Sequence, residues 1–209
     1  MKNIYIIRPK GFNIGNDAIY IAVCYFIKES LGNNINIISL PATGKYESQR
    51  KSGLSSETIY EINQYGDGLI IGGGNLYENG ELEVNPIALK ALEKPMMIFS
   101  VSRGRVFNQN LKLVDRTDTM SDEKLKMLNN KAQISLSRDI ATKNYIDSLG
   151  CKNILGGCPT LFINEVPLPG NKLESDFKTD CLISIRTPSL MSIPIHFQYS
   201  LRNQLIKLI

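Results

Sequence analysis

Two glycine-rich segments of the sequence each follow a short apolar run and could bring backbone amides close to a ligand. The first, residues 8–17 (RPKGFNIGND), leads into a helical pattern whose N-terminus favours anions. A tight turn with Asn16 or Asp17 as the helix cap is an equally good interpretation. The second, residues 70–77 (IIGGGNLY), has three consecutive glycines. Ligand contact is the favoured interpretation there, because such a run carries a folding-entropy cost that a plain turn does not require.

A third segment, residues 100–107 (SVSRGRVF), places Arg103 and Arg105 on either side of a glycine. Guanidinium groups can hold a carboxylate or a phosphate through paired hydrogen bonds. A solvated surface loop is the alternative. None of the three segments is a GxGxxG or GxxxxGK[ST] motif, so the P-loop is excluded and a dinucleotide fingerprint is not present.

The elements that must position these loops are short apolar runs alternating with segments of helical period. Continuous apolar runs are typical of strands covered on both faces, as in parallel sheets. The predicted strands are residues 4–7, 35–40, 69–71, 96–101, 134–136 and 182–185. This alternation predicts an α/β fold with a doubly wound parallel sheet. Ligands of such sheets bind outside the carboxyl ends of the strands, which is where the three loops are expected.

Helix boundaries are predicted from cap signals. One helix is predicted over residues 17–31, ended by Gly32, and another over 86–93 after the pair Asn85 and Pro86. A helix over residues 121–129 and one over 140–149, opened by Asp139, are also predicted.

Composition excludes several classes of protein. Apolar residues make up 43% and charged residues 21%, which is ordinary for a folded domain, and the net charge of +4 is scattered, so no nucleic-acid partner is expected. The sequence contains no apolar stretch of about 18 residues, so no membrane span is predicted. The four cysteines and His196 lack zinc spacing, so no metal site is expected. The cysteines are interpreted as reduced, and reduced cysteines favour a cytoplasmic location.

A change in composition divides the chain. Residues 1–165 are predicted to form an amino-terminal α/β domain. Residues 166–180 (VPLPGNKLESDFKTD) are polar, contain two prolines and a glycine, and are interpreted as a linker. Residues 181–209 are interpreted as the incomplete start of a carboxyl-terminal domain, since about 40 residues is a lower limit for an unaided domain. The alternative is that the last strand and helix pack onto the first sheet.

Four segments, taken in order, resemble the polysaccharide pyruvyl transferase family. They are FNIGNDAI (12–19), GDGLIIGGGNLY (66–77), SRDIATKNYIDSLG (137–150) and GCPTLF (157–162). The resemblance implies a two-domain fold like that of the GT-B glycosyltransferases, with a Rossmann-type amino-terminal domain and an active site between the halves. It also implies the reaction: phosphoenolpyruvate, a donor substrate and not a cofactor, gives its pyruvate unit to two hydroxyls of a cell-surface polysaccharide or its precursor. The products are a cyclic ketal and phosphate.

The resemblance implies substrate contacts at matching positions of this chain, and the loop chemistry adds Arg103. The alternative to substrate contact at positions 138 and 139 is a structural role, in which Asp139 caps a helix and Arg138 forms an ion pair. Asp17 is a candidate catalytic group, and Arg186 is the preferred contact for the anionic donor. The substrate-binding positions are Asn13, Gly15, Asn16, Asp17, Gly72, Gly73, Gly74, Asn75, Arg103, Arg138 and Arg186.

The sequence departs from the family in two places. Arg103 and Arg105 stand where the family has an uncharged glycine-rich loop, and the later Arg-x-His-Gly motif that supplies an acid histidine is absent. His196 does not match that motif and is more typical of a structural histidine, so these residues need not form a complete catalyst. Two alternatives stay open: a non-catalytic glycan-binding or assembly domain, and a GT-B-like glycosyltransferase using a nucleotide sugar. The resemblance also allows a lipid-linked acceptor at the inner face of the membrane and a homo-oligomer.

Overall fold

The computed structural model describes residues 1–11, 13–45, 51–78, 80–108, 110 and 112–167. The predicted strand over 182–185, Arg186 and His196 lie outside the described residues, as does nearly all of the predicted linker. A compact unit is formed by Met1–Gly104 and Asp118–Val166.

A six-stranded parallel sheet forms the centre of this unit. Its strand order is β2-β1-β3-β4-β7-β8, and every pairing is parallel. A separate antiparallel pair joins β5 to β6. The bounds are β1 (Lys2–Arg8), β2 (Ile35–Pro41), β3 (Gly68–Gly74), β4 (Met96–Val101), β5 (Arg105–Phe107), β6 (Leu113–Asp115), β7 (Ile134–Ser137) and β8 (Ile154–Leu155).

In the described part of the chain, five α-helices and a 3-10 helix connect or follow the strands. They are α1 (Ile14–Leu31), α2 (Ser56–Tyr65), α3 (Pro86–Lys90), α4 (Asp122–Lys131), α5 (Ile140–Ser148) and the 3-10 helix Pro159–Glu165. The alternation of strands and helices confirms the predicted doubly wound α/β class. The described part of the chain contains no helix that is both long and apolar enough to cross a membrane.

Side chains of the central strands alternate between two apolar cores. On one face Tyr5, Ile7 and Ile71 pack with residues of α2, α3, α4 and α5. On the other face Ile6 and Ile70 pack with α1. Both faces of the central strands are therefore covered, which explains why their sequences are continuously apolar instead of alternating.

The predicted strands of this part of the chain are confirmed, whereas several helix boundaries were wrong. The first helix begins at Ile14, three residues before the predicted start, and its cap is Asn13 instead of Asn16 or Asp17. The caps at Asn85 and Asp139 are confirmed, and Gly32 ends α1 with a φ of 79°. The helix after Asn85 is shorter than predicted, because it ends at Lys90.

Strands β5, β6 and β8 were not predicted. They have three, three and two residues, respectively, which is too short for a hydrophobic period to be read.

Candidate functional site

The first loop and the glycine run meet at the point where the chain reverses direction across the sheet. From β1 the chain moves outward to β2 and then returns to β3 on the other side of β1. A reversal of this kind opens a crevice at the carboxyl ends of the two strands, where open α/β sheets bind ligands. Here Arg8 ends β1 and Gly74 ends β3.

The three glycines lie within strand β3, where close packing restricts Gly72 and Gly73 and a positive φ favours glycine at 73 and 74. A Cβ atom on Gly72 would stand 2.9 Å from Ile6 Cγ2, and one on Gly73 would stand 2.2 Å from Ile19 Cγ2. A Cβ on Gly74 would meet Asn16 Oδ1 at 3.1 Å. Both Gly73 and Gly74 have positive φ, at 65° and 87°, which favours glycine on its own. The approach of β1 and α1 therefore accounts for the run, and ligand contact by these glycines stays a prediction.

The first turn of α1 is held by two side-chain interactions. Asn13 Oδ1 accepts a hydrogen bond of 3.0 Å from the Gly15 amide and caps the helix. Asp17 pairs with Arg8 at 2.7 Å, and the Arg8 guanidinium lies 4.2 Å from the centre of the Tyr20 ring. Asp17 therefore neutralises a cation at the edge of the sheet, which weakens its candidacy as a proton donor. Asn16 is half-buried beside Gly74.

The end of β4 is distorted. Its pairing with β7 shifts register between Phe99 and Val101, and Ser100 has a φ of 58°, which is uncommon for a residue with a side chain. The Ser100 hydroxyl donates a hydrogen bond of 2.9 Å to the Gly157 carbonyl in the segment after β8. The bulge thus ties two strand ends together at the carboxyl edge of the sheet.

Arg103 follows β4 and is held against α5. Its guanidinium lies 3.8 Å from the centre of the Tyr145 ring, and Nη2 donates to Thr119 Oγ1 at 3.4 Å. Its amide donates to Thr142 Oγ1 at 2.9 Å. Arg103 is thus positioned by the protein, whereas Arg105 begins the hairpin strand β5 and is exposed.

Arg138 and Asp139 follow β7 and have different environments. Asp139 caps α5, accepting hydrogen bonds from the Thr142 amide at 2.8 Å and from its hydroxyl at 3.0 Å. Arg138 is half-buried, and its amide donates to the Val101 carbonyl. Its guanidinium makes no ion pair or hydrogen bond to another residue of the described part of the chain. Within the described residues, the Arg138 guanidinium therefore has no anionic partner.

The structure brings most of the predicted positions to a single edge. The segment after β1, the end of β3, the segment after β4 and the residue after β7 all lie at the carboxyl ends of four adjacent strands. With strands about 4.8 Å apart, the edge from β1 to β7 spans roughly 14 Å. Asn75, half-buried, continues the edge after Gly74, while Arg186 lies outside the described residues.

Sequence reasoning missed two features of the structure. Ser100 sits in an apolar run and carries no signal of its positive φ. Asn129 Nδ2 donates to the Tyr77 hydroxyl at 3.4 Å, and Ser135 donates to Asn129 Oδ1 at 2.6 Å, so these three side chains form a buried polar network. Only an asparagine in an otherwise apolar helix stripe could have indicated it.

The family model described as polysaccharide pyruvyl transferase matches residues 13–209, nearly the whole chain. The chain belongs to the polysaccharide pyruvyl transferase family. The match begins at Asn13, the cap of α1, and includes the glycine run and Arg138.

Membership of this family supports a role as a transferase with a saccharide acceptor. No curated protein and no solved structure shows significant similarity to the chain. The family model therefore carries the family assignment, and the structure of this pyruvyl transferase family member carries the description of the site.

Proposed function

We propose that the protein transfers the pyruvate unit of phosphoenolpyruvate to a saccharide of a cell-surface polysaccharide or its precursor, forming a cyclic ketal and releasing phosphate. The observation that carries this proposal is the half-buried Arg138 guanidinium at the same sheet edge as the glycine run. A donor with a carboxylate and a phosphate requires such a cation, and a bidentate guanidinium suits both groups.

The chemistry that these residues would support can be written with its protons balanced. A proton is added to the methylene carbon of the donor, which becomes the methyl group. One sugar hydroxyl bonds to the central carbon, the carbon–oxygen bond to phosphate breaks, and the second hydroxyl closes the ring. Of the two hydroxyl protons released, one balances the proton taken up at carbon and the other leaves on phosphate.

The protein's part in this reaction is positioning and charge stabilisation. Arg138 would hold the donor's carboxylate or phosphate, and Arg186 stays the second predicted anion contact. Preorganised charge of this kind favours the departure of phosphate. A general acid would contribute on the order of 10²–10⁴ in rate, and we assign none among the described residues.

Binding of phosphoenolpyruvate to the full chain, measured by calorimetry, tests the donor assignment. Arg138→Gln should weaken binding by about tenfold to a hundredfold, because a hydrogen bond to a charged group contributes roughly 1.5–3 kcal/mol. Lys2→Gln is the matched control, since it also removes one positive charge but lies at the amino end of β1, the opposite edge of the sheet.

Product formation tests the reaction itself. The full chain is incubated with phosphoenolpyruvate and a panel of saccharides, with phosphate release and the mass of the sugar followed together. Release of phosphate that depends on the sugar, with a pyruvate ketal in the product, is the expected result. Equal donor affinity in Arg138→Gln and Lys2→Gln, or consumption of a nucleotide sugar instead, would contradict the proposal.

A further inference from the structure

A cavity lies beside the carboxyl edge of the sheet, and none of the predicted site residues lines it. It is a cavity of about 230 Å³ between the segment that follows β3 and the start of α4. Its buried lining includes Leu76, Tyr77 and Leu82, and its exposed lining includes Asp118, Ser121 and Lys124.

The walls of this cavity are fixed by the fold. The Met120 amide donates to the Tyr77 carbonyl at 2.7 Å, and Glu78 forms an antiparallel bridge with Thr119. These contacts hold the segment before α4 against the segment after β3. Tyr77 is buried, and its hydroxyl lies 3.4 Å from Asn129 Nδ2. Burial raises the pKa of Tyr77, so its hydroxyl stays protonated. The cavity is therefore preformed, as ligand sites usually are.

The chemistry of the lining suits a neutral polyhydroxy ligand. Asp118 can accept hydrogen bonds from hydroxyls, and Lys124 can donate to them. Ser121 adds a hydroxyl that makes no capping hydrogen bond to α4. The buried apolar side chains provide a surface for the C–H face of a sugar ring. One carboxylate and one ammonium group line the cavity, so the lining has no excess positive charge that would favour an anion.

The volume and position of the cavity further restrict which ligand it can bind. Pockets for drug-sized molecules have volumes of about 300–1,000 Å³, so this cavity fits a smaller group. Tyr77 follows the end of β3 by three residues, and Arg103 Nη2 donates to Thr119 Oγ1 at 3.4 Å, so the cavity adjoins the sheet edge. We propose that it binds a single neutral sugar ring of the saccharide acceptor, an inference that rests on the proposed function.

Ligand-observed NMR on the full chain tests this proposal. The probes are methyl β-galactopyranoside, methyl α-mannopyranoside and methyl N-acetyl-β-glucosaminide, each titrated alone. At least one probe should bind, and Asp118→Asn and Lys124→Met should each weaken it by about threefold to tenfold, since each removes one charge-assisted hydrogen bond at an exposed rim. Lys126→Met is the matched control, because Lys126 is exposed on the same helix but does not line the cavity.

Phosphoenolpyruvate binding is measured for the same variants and should not change. The cavity proposal is overturned if no probe binds, if the variants bind the probe as the control does, or if phosphoenolpyruvate displaces it. Sugar binding that depends on Asp118 and Lys124 in a protein that does not bind phosphoenolpyruvate would leave the cavity proposal standing and refute the donor assignment. Ketal formation by a protein whose sugar affinity these variants leave unchanged would refute the cavity proposal and leave the donor assignment standing.

Discussion

Replacing Gly73 with alanine tests whether the glycine run exists for close packing. Gly73 lies in strand β3 with a φ of 65°, and an added Cβ would stand 2.2 Å from Ile19 Cγ2. Ile19 is buried in helix α1 and is β-branched, so its χ1 angle is nearly fixed and the methyl group cannot rotate away. The helix or the strand must therefore shift.

Two costs add up in this variant. The left-handed backbone conformation costs an alanine about 1–2 kcal/mol. The forced shift in a packed interior costs about a further 1–3 kcal/mol. We expect Gly73→Ala to lower the free energy of unfolding by roughly 2–5 kcal/mol.

A matched control separates the two costs. Gly150 follows α5 with a φ of 80°, and a Cβ added there would have no atom within 4 Å. Gly150→Ala should therefore lower the free energy of unfolding by only about 1–2 kcal/mol, the backbone cost alone. The difference between the two variants measures the contact with Ile19.

Urea unfolding followed by circular dichroism measures these free energies, provided that the slope with urea is unchanged between variants. Combining Gly73→Ala with Ile19→Ala removes the methyl group that clashes. The double variant should lose about 1–3 kcal/mol less than the sum of the single variants. Equal losses for Gly73→Ala and Gly150→Ala, or simple additivity in the double variant, would refute the packing explanation and leave ligand contact as the reason for the glycines.

Two further predictions concern local polar contacts. Glu83 accepts hydrogen bonds from the Ser52 hydroxyl and the Gly44 amide, which lower its pKa, so Glu83→Gln should cost on the order of 1 kcal/mol at pH 7. A carboxyl group whose pKa is lower in the folded than in the unfolded protein stabilises the fold at pH values above its unfolded pKa. The difference in urea midpoint between Glu83→Gln and wild type should therefore shrink below about pH 4, and a difference that stays constant would contradict this. Asn13→Ala should cost about 1 kcal/mol in urea unfolding, whereas Ser121→Ala, at a cap position without a side-chain bond, should cost little.

Much of the fold follows from local sequence. The apolar runs that became β1, β3 and β4 are continuous because both faces of the central sheet are covered, and that pattern predicts parallel strands without a structure. The caps at Asn85 and Asp139 were predicted correctly because a cap is a contact between residues two or three positions apart.

What the sequence could not decide depends on contacts between distant residues. It marked the three glycines as unusual, but only the packing of α1 on β3 shows that Ile19 and Asn16 occupy the space where their side chains would be. The same holds for Arg103, which the sequence marked as a candidate anion contact and which the fold places on Tyr145.

The sequence by itself determined the fold class, the family signals and the strand ends at which chemistry is expected, because hydrophobic period and short motifs are local properties. Tertiary structure alone decided that Arg8 pairs with Asp17, that Arg138 has no such partner within the described residues, and that a cavity adjoins the sheet edge. The Arg8–Asp17 pair depends on how the turn between β1 and α1 folds, and the surroundings of Arg138 and the cavity depend on which strands become neighbours, a long-range pairing that is not encoded in any single segment.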